Sequence, residues 1–238
     1  MPSHPSRWSK SFVEYLDNRQ ETVELLKSTP PIERQLGERR SRQLANALYR
    51  ACVVLMSSHL ERYVEALVVE SIDAINAGQL HANALPEQLR LRQIKAILRQ
   101  AYETDKLSLI EDELRRLNAD FVWFWNHHNL CAGLTASVLI SDFDNPLPKR
   151  IRTLFAPFGN GDIVGPAVAL DQSQDRPLIE GKVRELVEKR NAIAHTGMTT
   201  DLTREDVLVY LRCLRRFVRG IDIIVGRQIE QIIGKWPW

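Results

Sequence analysis

PLIEGKVRELVEKRNAIAHTG, residues 177–197, is the stretch on which both the fold and the candidate site turn. Pro177 suits the first position of a helix and Gly197 its end, so the segment is predicted to be one helix. Ile179, Val183, Leu186, Ile193 and Ala194 recur at helical spacing and define a buried stripe. At about 100° per residue, Arg190 falls near the centre of that stripe, where a guanidinium is costly unless an anion meets it. Asn191 and His195 are four apart, share one face and lie to one side of the stripe. His195 supplies a group able to exchange protons near neutral pH.

The pattern remains helical on both sides of this segment. Towards the C-terminus, Thr203 with Asp206 reads as a capping box. Val207, Tyr210, Leu211, Leu214, Val218, Ile221 and Ile224 then mark the inner face of a long helix, with Gly220 and Gly226 allowing a bend or a close approach. The WPW tail either clamps a partner or folds back on its own bundle. Towards the N-terminus, residues 159–176 are rich in glycine and proline and are predicted to be an irregular connection. Pro148 opens a short helix with Ile151, Leu154, Phe155 and Phe158 inward. Residues 107–140 are predicted to be helical with a break around 118–125, and Pro86 starts a basic amphipathic helix that ends near Tyr102.

The longest helix is expected from Arg39 to Ala77, closed by Gly78. Ala45, Leu48, Cys52, Met56, His59 and Tyr63 form one stripe on it, and Val54, Glu61 and Val68 form another on the opposite side. Glu61 can therefore sit beside the 177–197 helix rather than in water. A first helix over residues 7–27 is ended by Pro30 and Pro31. Strand-like alternation is poor throughout, which points to an all-α fold.

The chain has 238 residues, 44% hydrophobic and 26% charged, an ordinary globular composition. A net charge of +2 does not by itself announce a nucleic-acid binder. Cys52, Cys131 and Cys213 are widely spaced, without a C-x-x-C pair, and read as buried thiols in a reducing compartment. His127 and His128 diverge on a helix and read as local structural residues. Arg212, Arg215, Arg216 and Arg219 read as a solvated face. No Walker A loop, dinucleotide fingerprint, nucleophile elbow or H-E-x-x-H occurs. His127 and its polar neighbours interrupt the one segment approaching a membrane span. The chain therefore reads as soluble and cytoplasmic, with no membrane partner.

Arg190-Asn191, three residues and then His195 resembles the R-x4-6-H motif of HEPN domains. SSHLERYVEALV, residues 57–68, is similar to the first core helix of the RiboL-PSP-HEPN branch, and NPLPKRIRTLFAPFG, residues 145–159, resembles its linker before the motif helix. The resemblance implies an all-α, dimeric, HEPN-type helical bundle with accessory helices. Residues 1–35 would hold an N-terminal accessory helix and 36–238 the HEPN-like domain, with the motif helix at 177–197 and the final helix at 203–233.

The resemblance also implies a metal-independent endoribonuclease without a cofactor, acting as a toxin or antiviral defence effector. Such cleavage requires the 2′-hydroxyl to lose a proton, the phosphorane charge to be stabilised and the leaving 5′-oxygen to gain a proton. The products are 2′,3′-cyclic phosphate and 5′-hydroxyl ends. Histidine suits the proton transfers and arginine the phosphate charge. Arg190 and His195 would be catalytic. Asn191 would orient the histidine or bind phosphate, and Glu61 would pair with Arg190 when RNA is absent. One histidine per motif implies a composite active site in a homodimer, with RNA and a cognate antitoxin or regulator as partners. The alternative is a noncatalytic HEPN-type dimer binding nucleotide, RNA or protein.

Overall fold

The computed structural model describes residues 7–102, 110–111, 115, 122–126, 128–131, 133–159, 161–196 and 202–238. Its axis is helix α3, Arg39–Ala77, whose 39 residues span roughly 58 Å. Ala45, Cys52, Met56 and Tyr63 are buried along one line, and Leu60, Val64, Leu67 and Val68 around it. The helix therefore has neighbours on more than one side. The second predicted stripe is less complete, because Val54 is exposed and burial is full only at Val68.

Helix α1, Lys10–Lys27, lies against α3, and its Phe12, Tyr15 and Leu26 join the same continuous core. Carboxylates from two other helices satisfy its first amides. Ser9 N–H and Oγ both donate to Asp222, and the Lys10 and Ser11 N–H groups donate to Glu70 at 2.9 and 2.7 Å. These groups would otherwise be orphaned at a helix start. A short helix, α2, Ile32–Gly37, leads into α3.

Beyond Gly78, α4 runs over Glu87–Tyr102. Much of 107–140 lies outside the described residues, and the rest is less helical than expected. Helix α5 is only Val122–Trp125 and α6 only Ser137–Ile140. Between them Leu130 forms an isolated antiparallel bridge with His81, and Gly133 adopts a φ of 80° that interrupts any helix. No other strand pairing occurs among the described residues.

Helix α7, Pro148–Phe155, follows, with Ile151, Leu154 and Phe155 buried. The predicted irregular connection then contains a helix, α8, Val164–Ala169. Asp162 Oδ1 accepts from the Val164 and Gly165 amides, both at 3.0 Å, so a side chain starts this helix despite its glycine and proline. A 3-10 turn, Arg176–Leu178, absorbs Pro177 before α9, Ile179–Thr196. Gly197 lies outside the described residues. Arg152 ties these pieces together by donating to Asp162 at 2.8 Å and to both oxygens of Glu180, at 3.0 and 2.9 Å.

The last helix, α10, Arg204–Ile233, starts with the Thr203/Asp206 capping box and ends at Gly234 in the left-handed region. It packs against α3, α8 and α9. A Cβ on Gly220 would sit 2.4 Å from the Ala167 carbonyl oxygen, so only glycine allows α10 this close to α8. The tail folds back, placing the Trp236 and Trp238 rings over Gly226. No helix among the described residues is long and apolar enough to cross a membrane.

Candidate active site

Helix α9 is buried at its start and open at its end. Ile179, Val183, Leu186 and Val187 are fully enclosed, Ile193 only partly, and Ala194 and His195 are exposed. The predicted stripe therefore stops short of Ala194, which faces solvent rather than the core. Tyr210 of α10 fixes the middle of the helix by donating to Glu185 at 2.6 Å, and Lys182 and Lys189 pair with the same carboxylate. Burial opposes ionisation of Glu185, but the hydrogen bonds from Lys182, Tyr210 and Lys189 outweigh it and hold the carboxyl at about 2.

Arg190 follows directly and turns towards α3. Its Nη2 donates to Glu61 Oε2 at 2.9 Å, its Nε to Ser57 Oγ at 3.3 Å, and its Nη1 to Asn191 Oδ1 at 3.1 Å. Ser57 and Glu61 are four apart, so adjacent turns of α3 present both acceptors to one guanidinium. The pair is not sealed: 20% of the Arg190 side chain and 25% of Glu61 remain accessible. Burial pushes the Glu61 carboxyl above the usual range. Arg190 pulls it down, while the nearby Glu65 and Asp144 carboxylates add to the rise.

His195 stands one turn beyond Asn191, on the exposed end of the helix. It is five residues from Arg190, or about 140° around the axis, so the two side chains leave the helix in different directions. The fold thus gathers Arg190, Asn191, Ser57 and Glu61, and leaves His195 outside that cluster. A model of the RiboL-PSP-HEPN family matches residues 13–227. The chain belongs to the RiboL-PSP-HEPN family. No curated protein and no solved structure shows a significant match.

In this RiboL-PSP-HEPN chain, Ser57 is the site neighbour that sequence reasoning did not single out. A serine within an apolar helix carries no distinguishing signal until another helix brings a guanidinium to it. The spacing of Ser57 and Glu61 was the available clue. Other polar groups lie elsewhere. The three cysteines are buried, and burial pushes the Cys52 and Cys131 thiols up to about 11. His127 lies outside the described residues, and His128 is exposed. Among the described residues, no group of three or more histidine, cysteine or acidic side chains is placed to hold a metal ion. Arg212 and Arg216 are not wholly free on their helix face: Arg212 pairs with Glu205 at 3.4 Å and Arg216 with both Asp171 and Asp175.

Proposed function

We propose that this protein is a metal-independent endoribonuclease whose active site is completed by a second copy of the chain. What carries the reading is the Arg190 guanidinium, held by Glu61, Ser57 and Asn191 towards the open end of α9, with an exposed His195 five residues further on, in a member of the RiboL-PSP-HEPN family. Arginine is suited to grip the nonbridging phosphate oxygens and to follow their growing charge. His195 transfers the proton at the attacking 2′-hydroxyl or the leaving 5′-oxygen. Cleavage needs both transfers, and one chain offers one motif histidine, so the second comes from the partner in a twofold dimer. The Glu61 carboxylate occupies the guanidinium until an RNA phosphate displaces it, and Asn191 holds the phosphate or the histidine. As a cytoplasmic toxin or antiviral effector, the enzyme would be restrained by an antitoxin or regulator.

Purified protein is incubated with mixed single-stranded RNA and excess EDTA, and the products are tested for cyclic-phosphate ends. RNA is cut, and DNA of matched sequence stays whole because it lacks the attacking hydroxyl. A folded, dimeric His195→Ala protein that cuts as fast as the parent would overturn the assignment. If no RNA offered is cut, expression in bacteria decides. Growth arrest by the parent but not by His195→Ala keeps the enzyme, and equal harmlessness favours a noncatalytic dimer.

A further inference from the structure

At the end of α9 remote from His195, Asp175 precedes the helix and pairs with Arg216 of α10. Along the axis of α9, Ile179 at its start lies roughly 17 Å from Arg190 and roughly 24 Å from His195. A cavity of about 480 Å³ opens here between α8, α10 and the residues before α1. Arg7, Arg216, Arg219 and Arg227 line it, with Asp171 the only carboxylate in its wall among the described residues. Arg216 is neutralised by Asp171 and Asp175. Arg7, Arg219 and Arg227 have no ion-pair partner among the described residues.

The guanidinium carbons of Arg7 and Arg219 lie 5.6 and 5.7 Å from the Trp8 ring centroid. An aromatic ring helps to fix a guanidinium without cancelling its charge. The floor is set by backbone contact, since α10 meets the Ala167 carbonyl at Gly220. Four arginines face two carboxylates here, and Asp171 acts on Arg219 as well as on Arg216. The positive charge left over is self-repelling, and a multiply charged anion relieves that repulsion. The volume falls within the usual range for small-molecule sites, and arginine matches phosphate oxygens in paired hydrogen bonds. The four arginines line one space rather than following a track, which suits adjacent phosphates better than an extended nucleic-acid strand carrying one charge per nucleotide.

We propose that this cavity binds a compact di- or triphosphate, free or as part of a nucleotide, at a site separate from the Arg190 cluster. Binding is measured directly, so the outcome does not depend on the ribonuclease reading. Calorimetry of the full chain at low salt uses inorganic pyrophosphate and ADP as probes. The parent and Arg212→Gln, a control on the same helix, should each bind one equivalent. Arg219→Gln/Arg227→Gln should bind at least about tenfold more weakly. Asp171→Asn removes the carboxylate from the wall while keeping an acceptor for the Ser173 amide, and should bind several-fold more tightly. That opposite change cannot arise from misfolding. ADP binding tighter than pyrophosphate identifies a nucleotide, and equal binding an inorganic polyphosphate. No saturable binding of either probe at millimolar concentration overturns the proposal, even if RNA binds. So does equal affinity in the parent, the double-arginine variant and Asp171→Asn.

Discussion

Arg190 is a cation held between helices, and its surroundings decide what each nearby substitution does. Glu61→Ala removes its strongest acceptor but leaves Ser57 and Asn191 in place. The apolar stripe alone suggested a sealed ion pair, worth about 3–5 kcal/mol when broken. With 20% and 25% of the two side chains still accessible, water takes up part of the loss, and about 1–2 kcal/mol is expected in denaturant unfolding. Unchanged stability would reduce Glu61 to a surface residue. His195→Ala should behave in the opposite way. The side chain is exposed, so the unfolding midpoint should hold while RNA cleavage falls ~10²–10⁴-fold. Arg190→Lys keeps one charge but loses the planar fork that reaches three acceptors, so cleavage should fall with it. Arg190 was legible because a charge in an apolar stripe demands a partner, whereas Glu61 was named as that partner by the family resemblance, its face of α3 only allowing it. Ala194 was misread because periodicity says which residues share a face, not how far along the helix that face is covered.

The seating of α1 shows how a buried acid can serve a helix terminus. Asp222 is fully buried and accepts from Ser9 N–H, Ser9 Oγ and Tyr63 Oη. Burial pushes its carboxyl up to about 6, with the Ser9 hydrogen bonds working the other way and Glu70 adding to the rise. The folded state therefore holds the proton more tightly than the unfolded chain. The resulting stabilisation is complete below about pH 4 and is lost as pH rises through about 6. Glu185 and the other carboxylates held low lose their contributions in the opposite direction, as pH falls, so the informative quantity is the difference between parent and Asp222→Asn. From pH 4 to pH 7 the parent should lose roughly 2–3 kcal/mol relative to the variant, read from urea midpoints. A parallel pH dependence of the two would remove Asp222 from the account. Helices such as α3 and α10 were legible because their ends carry local signals, Gly78 in one and Thr203 with Asp206 in the other. The missed α8 had Gly165 and Pro166 inside it, and its start depends on Asp162, which also holds Arg152. Such a short helix is stabilised by its contacts more than by its own composition.

The order of burial along α9 bears on assembly. Its first turns are anchored in the core, whereas its last two turns carry Arg190 and Asn191 half-covered and His195 exposed. A site built from these groups alone has one proton-transfer residue where cleavage needs two. The composite model therefore makes a demand on mixtures that a one-chain site does not. Parent and His195→Ala chains are co-expressed with different affinity tags, or unfolded and refolded together, so that dimers form at random. In an equal mixture, about half of the parent chains end up in mixed dimers, which lack one of the two histidines. Cleavage per parent chain should then fall to roughly half, and further as His195→Ala is added in excess. Sedimentation must show the same dimer fraction in every mixture, so that the loss reports on chemistry rather than dissociation. Dilution provides a second reading: activity per chain should drop at the concentrations where the dimer separates. If His195→Ala is an inert diluent that leaves each parent chain fully active, each chain carries a complete site and the paired-histidine mechanism fails. If mixed dimers are inactive, the histidines of both chains are needed for one cut.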